Sequence, residues 1–298
     1  MNTQPHGYQR SLPAPQAVKA LALDLDGTAL RPGAVLSDRT AAALRSCIQR
    51  GTAVILCTGR SVESAGRYRE IIGAEGPMVC FNGAIVVDMP EGNVLGASSL
   101  APEAVDYCVD LSRKLGVYYQ VYFPASPGKP WGTLMAEKDG PEAAMYYAHT
   151  GVRMERGDLK SALADIGANG CIKSMFIAEP EAQDRIRPLL EERFGNAVYI
   201  VRTFPPFLEI LAPGVSKGTG LELALKHTGV SAADVIAMGD EENDLPLFQT
   251  AGFSAAPANA KEAVRAAADI IIGSNTEDGV AEFLETFFSR SIPINAAG

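Results

Sequence analysis

The chain has 298 residues, 47% hydrophobic and 20% charged, with a formal net charge of −9; it is long enough for one large domain or two modest ones and too apolar for a disordered chain. No run of Lys and Arg offsets that acidity, which excludes nucleic acid or an anionic membrane as the main partner, whereas a small anionic substrate needs only one or two well-placed cations. The five cysteines show no CxxC and no zinc-like spacing and read as buried free thiols; with neither a signal-peptide core near the N-terminus nor a membrane span, the expected location is cytoplasmic.

Residues 1–18 read as a flexible N-terminal extension. From Lys19, "KALALDLD" has the pattern of a buried strand and ends on Asp24 and Asp26. In an extended chain these point to the same side about 6.6 Å apart, at a rise of ~3.3 Å per residue. Two charges there are costly unless something pairs with them. One carboxylate can attack while the other moves a proton; a solvated loop pair is the bland alternative. Gly27 allows a sharp exit from the strand, and Thr28 offers a hydroxyl or an amide.

"SDRTAAALRSCIQRG" follows as a helix capped by Ser37 and ended at Gly51, then "TAVILCTG" as strand and "SVESAGRYREIIG" as helix. This βαβ pattern puts function at the C-terminal ends of the strands. Thr58 and Gly59 stand at such an end: Thr58 can donate to a phosphate oxygen, and Gly59 lets the backbone approach an anion, although the pair also suits a plain turn. Arg60 reads either as a surface helix residue or as a substrate contact.

Between residues 86 and 211 the character changes to aromatic strands ("VYYQVYF"), a Pro/Gly loop and longer amphipathic helices. That stretch has the size of a domain, so the expected architecture is an α/β core, residues 19–85 and 212–298, interrupted by an inserted α+β domain at 86–211. Its strand "VYYQVYF" alternates as a half-buried strand would. His149 and His227 fall on predicted helices away from the strand ends and read as surface or core-edge residues.

The alternation returns after Ser216. Lys217, in "PGVSKGTGL", sits at a helix start, where a cation opposes the helix dipole and suggests a role other than helix stability. "VIAMGDEENDLPLF" then ends a strand at Gly239 and delivers Asp240, Glu241, Glu242, Asn243 and Asp244 to a short helix. These acidic groups repel unless a cation is shared or they fan into water; Asp240 is expected to face a metal. The four clusters converge on one edge of the sheet.

Together "DLDGT", "CTGR", "SKG" and "GDEENDL", in this order, with "FNGA" at 81–84, resemble the haloacid dehalogenase-like phosphatases, specifically their Cof-type, class IIB branch. The resemblance covers Lys19 to about Phe288. It implies a Rossmann-like parallel-sheet core with an inserted cap, and a Mg2+-dependent phosphatase of small phosphate monoesters such as sugar phosphates or phosphorylated cofactors. Asp24 would be the nucleophile that forms an aspartyl phosphate, and Asp26 the acid and then the base. Thr58, Gly59, Lys217 and Asn243 would bind phosphate, and Asp24, Asp26, Asp240 and Asp244 would serve the metal. Arg60 and Asn82 are candidate substrate contacts; in the cap, so are His149, Arg153, Arg156, Lys173 and Arg202. A phosphotransferase or hexose-phosphate mutase with the same intermediate, and a non-catalytic binding protein, are the alternatives. One departure is "AAPANA", where Pro257 and Ala258 replace the Met and Gly usual in that branch, which puts a role for this turn beside the site in question.

Overall fold

The computed structural model describes residues 10–126, 128–167 and 170–289. Residues 1–9 of the extension lie outside these. Within residues 10–18, Arg10 contacts the body: its backbone N–H and Nε donate to Asp269 and its Nη2 donates to the Phe248 carbonyl.

The chain then runs β1 (Ala20–Leu23), α1 (Asp38–Gln49), β2 (Ala53–Leu56), α2 (Val62–Ile72), β3 (Gly76–Cys80), β4 (Ile85–Met89) and β5 (Asn93–Ala97). Helices α1 and α2 start where Ser37 and Ser61 accept the backbone N–H of Thr40 and Ser64, and α2 stops at a left-handed Gly73. The middle of the chain contributes α3 (Pro102–Leu115), β6 (Tyr118–Phe123), β7 (Thr133–Ala136), α4 (Pro141–Thr150), β8 (Glu155–Arg156), α5 (Leu159–Ile166), β9 (Lys173–Ile177), α6 (Pro180–Phe194), β10 (Tyr199–Phe204) and β11 (Phe207–Leu211). The last part adds α7 (Lys217–Thr228), β12 (Val235–Met238), α8 (Leu245–Thr250), β13 (Phe253–Pro257), α9 (Glu262–Ala267), β14 (Ile270–Ile272) and α10 (Gly279–Ser289).

Strands β14, β13, β12, β1 and β2 form a parallel sheet in that order. Successive residues of β1 serve opposite faces: Leu21 and Leu23 pack with Leu44 of α1, Ala65 of α2 and Leu284 of α10, whereas Ala20 and Ala22 pack with Leu221 of α7 and Phe248 of α8. Each fully buried Leu contributes roughly 1.5–3 kcal/mol. This explains the apolar run "ALAL", since both faces are covered.

The hairpin of β4 and β5 pairs antiparallel with β3, and β3 meets the end of β2 through the Cys57–Val79 bridge. Val86 and Leu95 of this hairpin pack in the same cluster as Leu221 of α7. Residues 86–97, assigned to the insert from sequence, thus pair with β3 in a three-stranded sheet of their own and pack in the cluster that holds Leu221 of α7. The second sheet has six strands in the order β10-β11-β9-β6-β7-β8. Strand β6 is buried along its whole length, not half-buried. Tyr119, Val121 and Phe123 face α3, α5 and α6, while Tyr118 and Tyr122 join the cluster that contains Phe81 and Leu25 of the first part. All five cysteines are buried and free, and none of the described helices is long and apolar enough to cross a membrane.

Candidate active site

The C-terminal ends of β1, β2 and β12 and the start of α7 meet at one place. The Asp24 N–H donates to the Met238 carbonyl at 3.0 Å, which ties the end of β1 to that of β12. Lys217, the first residue of α7, is buried, and its Nζ donates to Asp24 Oδ1 and to Asp244 Oδ1, both at 2.6 Å. Asp244 Oδ2 accepts the Asp240 and Glu241 N–H groups at 2.9 and 3.0 Å. Asp240 accepts from Thr28 Oγ1 at 2.8 Å. Gly27 has φ +79°, and a Cβ there would stand 2.1 Å from Asp240 Oδ2, so the glycine of "DLDGT" lets the two strand ends close on each other.

Asp24, Asp240 and Asp244 each offer a carboxylate oxygen within 4.8 Å of the others. Burial pushes the Asp24 carboxyl well above its ordinary range; Asp244, Asp240 and Asp26 add to the rise, and Lys217 opposes it. Burial and then Asp244 lift Asp240 to about 7. Burial pulls the Lys217 ammonium down, but the two carboxylates outweigh it and the net shift is upward. Lys217 pairs with Asp24 and Asp244, both Asp244 oxygens are engaged, and Asp24 and Asp240 remain as a set of hard oxygen donors. That set fits Mg2+.

Asp24, Asp26, Gly59, Arg60, Lys217 and Asn243 line a cavity of about 60 Å³. Thr58, Asn82, Asp240 and Asp244 lie outside its lining. Arg60 is buried and grips Asp26 with two hydrogen bonds, Nε at 2.7 Å and Nη2 at 2.6 Å, so it is not a surface helix residue. Thr58 Oγ1 accepts the Arg60 N–H at 3.1 Å. Asn82 is fully buried behind Gly59, and its amide is engaged with Glu209 and Asn243, which removes it from direct contact with a ligand in the cavity.

The second sheet and α4 close the other side with Tyr146, His149, Lys173, Thr203, Phe207 and Glu209. His149, expected away from the strand ends, has Nε2 3.7 Å from Asp26 Oδ1, and burial lowers its imidazole pKa. Lys173 Nζ donates to Glu209 Oε1 at 2.7 Å. Arg153 instead lies over the Tyr147 ring, Arg202 holds Gln183 and Asp184, and Arg156 is exposed in β8; none of the three lines the cavity. Glu209 was not singled out from sequence, although a lone carboxylate inside "FLEIL" is the same signal that marked Asp24. The turn after β13 does reach the site: Asn259 Nδ2 donates to the Gly27 carbonyl at 2.8 Å.

A family model for haloacid dehalogenase-like hydrolases matches residues 21–284. A 5-amino-6-(5-phospho-D-ribitylamino)uracil phosphatase of Bacillus subtilis is 30% identical over 281 residues, covering 90% of this chain and 97% of the relative. An HMP-PP phosphatase of Cronobacter sakazakii is 28% identical over 269 residues, covering 88% and 93%. A solved structure of a sugar phosphatase of HAD subclass IIB superposes with a TM-score of 0.73 at 21% identity, covering 91% of this chain and 99% of that one. The chain belongs to the haloacid dehalogenase-like hydrolases. Within them it is a phosphatase of phosphate monoesters, with the fold of the solved subclass IIB enzyme.

Proposed function

We propose that the protein hydrolyses small phosphate monoesters in the cytosol with Mg2+, through an aspartyl phosphate on Asp24. The observation that carries this reading is the buried Lys217 bridging Asp24 and Asp244 at 2.6 Å each, beneath a cavity that has Asp26 on its wall. Asp24, Asp240 and the Asp26 main-chain carbonyl would hold the metal. Asp244, whose oxygens accept from Lys217 and two N–H groups, would act from behind by fixing the ammonium and the Asp240 loop. When bound, Mg2+ screens the repulsion between the Asp24 carboxylate and an anionic phosphoryl group.

Asp24 attacks phosphorus as the bond to the leaving oxygen breaks, and Asp26 supplies the proton that oxygen takes. Water then attacks the aspartyl phosphate, Asp26 takes its proton, and the bond to Asp24 breaks. Lys217, Asn243, the Thr58 hydroxyl and the Gly59 N–H would hold the phosphoryl oxygens. The middle of the chain would act as the cap, from about Leu100 to Leu211 by strand pairing, and the small cavity between it and the core favours small leaving groups over polymers. The named relatives act on different phosphorylated metabolites, in line with specificity carried by the cap.

The test is phosphate release from a panel of phosphorylated metabolites with Mg2+ and with EDTA, beside Asp24→Asn. Release from a few small esters, lost in EDTA and in the variant, is the expected outcome. An isomeric phosphate ester with little free phosphate would instead mark a mutase.

A further inference from the structure

A chain of directed hydrogen bonds leads from the second sheet to the edge of the cavity. Lys173 Nζ donates to Glu209 Oε1 at 2.7 Å, Asn82 Nδ2 donates to Glu209 Oε2 at 2.8 Å, and Asn243 Nδ2 donates to Asn82 Oδ1 at 2.9 Å. Lys173, Glu209, Asn82 and Asn243 are all buried. An ammonium only donates and a carboxylate only accepts, so Glu209 must receive the NH2 of Asn82. The Asn82 carbonyl therefore faces Asn243 and receives the NH2 of that residue. Neither amide can turn over without putting like against like in a buried place.

The turn that carries Asn82 is held in one shape. Phe81 and Asn82 both have positive φ, 50° and 57°, an unfavourable conformation that the surroundings impose. The Phe81 N–H donates to the Arg60 carbonyl and the Asn82 N–H to the Thr58 carbonyl. A Cβ on Gly83 would stand 2.1 Å from the Ser216 carbonyl, at the start of α7.

We infer that Glu209 and Asn82 are positioning residues that set the polarity of the Asn243 amide, so that docking of the cap arranges the phosphate site. The inference rests on the proposed role of Asn243 as a phosphate donor. One Asn243 amide hydrogen is used on Asn82, and the other remains for the cavity that Asn243 lines. With the relay reversed, the side chain would present its carbonyl oxygen, which repels a phosphoryl oxygen.

Reversal can be made by design. In Glu209→Gln, Lys173 can only donate and claims the single carbonyl oxygen, so the new NH2 faces Asn82 and turns both amides over. Adding Asn82→Asp restores an acceptor at both ends of residue 82 and returns Asn243 to its native orientation.

Calorimetric titration of inorganic phosphate into Mg2+-loaded protein reads the relay separately from turnover. Glu209→Gln is expected to weaken phosphate binding about tenfold or more, as loss of a hydrogen bond to a charged group does. The double variant is expected to bind within about threefold of wild type. Asn82→Ser, which breaks the relay without touching the ion pair, should weaken phosphate binding to a similar degree and serves if Glu209→Gln does not fold. Unchanged phosphate affinity in Asn82→Ser, or a double variant no better than Glu209→Gln, would overturn the inference. A wild type that binds phosphate but hydrolyses no ester would overturn the proposed function instead.

Discussion

Arg60 takes both carboxylate oxygens of Asp26, at 2.7 and 2.6 Å, while its Nη1 reaches the His149 carbonyl at 3.1 Å. The same guanidinium thus ties the residue assigned to proton transfer to the end of α4 in the proposed cap. Its own burial keeps it from other rotamers. Arg60→Lys retains the charge but not the planar fork. It is expected to lower kcat by roughly 10- to 100-fold, a part of the 10²–10⁴ that general acid–base catalysis contributes. Steady-state kinetics against the best ester checks this, and an unchanged kcat would dissociate Arg60 from Asp26 function.

Removing the ammonium isolates two carboxylates. Lys217→Met leaves Asp24 and Asp244 buried without their cation, which costs about 3–5 kcal/mol. The loss should be smaller at pH 5 than at pH 8, because protonation relieves the uncompensated charge. Urea unfolding in EDTA at the two pH values measures both the size and the sign.

Asp240 links stability to pH through the metal site. A carboxyl whose folded pKa is raised, here from 3.8 to about 7, stabilises the fold below the unfolded value and loses that contribution as pH rises through the folded one. Asp24 is raised in the same direction. Mg2+ competes with these protons. The increase in melting temperature caused by Mg2+ over EDTA should therefore grow between about pH 5 and pH 8. A Mg2+ effect independent of pH would contradict the assignment.

Gly27→Ala combines a positive φ with a Cβ 2.1 Å from Asp240 Oδ2. Asp240 must move, so Mg2+ half-saturation for activity is expected to rise at least tenfold while far-ultraviolet circular dichroism stays near wild type. Unaltered Mg2+ dependence would show that the Asp240 carboxylate does not hold the metal.

The core was legible because its strands are apolar on both faces and its helices are bounded by Ser37, Ser61, Gly73 and Gly229, all local signals. Asp24, Asp240 and Lys217 were legible because each breaks a local rule, a charge at the end of a buried strand or a cation at a helix start. Glu209 was not, and His149 and Lys173 stood among five cap candidates with nothing local to separate them from Arg153, Arg156 and Arg202. Their position depends on how the second sheet docks, and the pairing of Glu209 with Asn82 spans 127 residues. The full burial of β6 has the same origin, since its second face is covered only after docking. Residues 86–97 read as insert because nothing local in a β-hairpin says which sheet it extends.

The most direct test of the central claim is an acid quench of the Mg2+-loaded enzyme during turnover of its best ester, followed by peptide mass spectrometry. A phosphoryl group on the peptide containing Asp24, absent in Asp24→Asn, is the predicted result, and Asp26→Asn should alter how much accumulates. Full turnover with no phosphoryl group on that peptide, and with activity surviving in Asp24→Asn, would contradict the account.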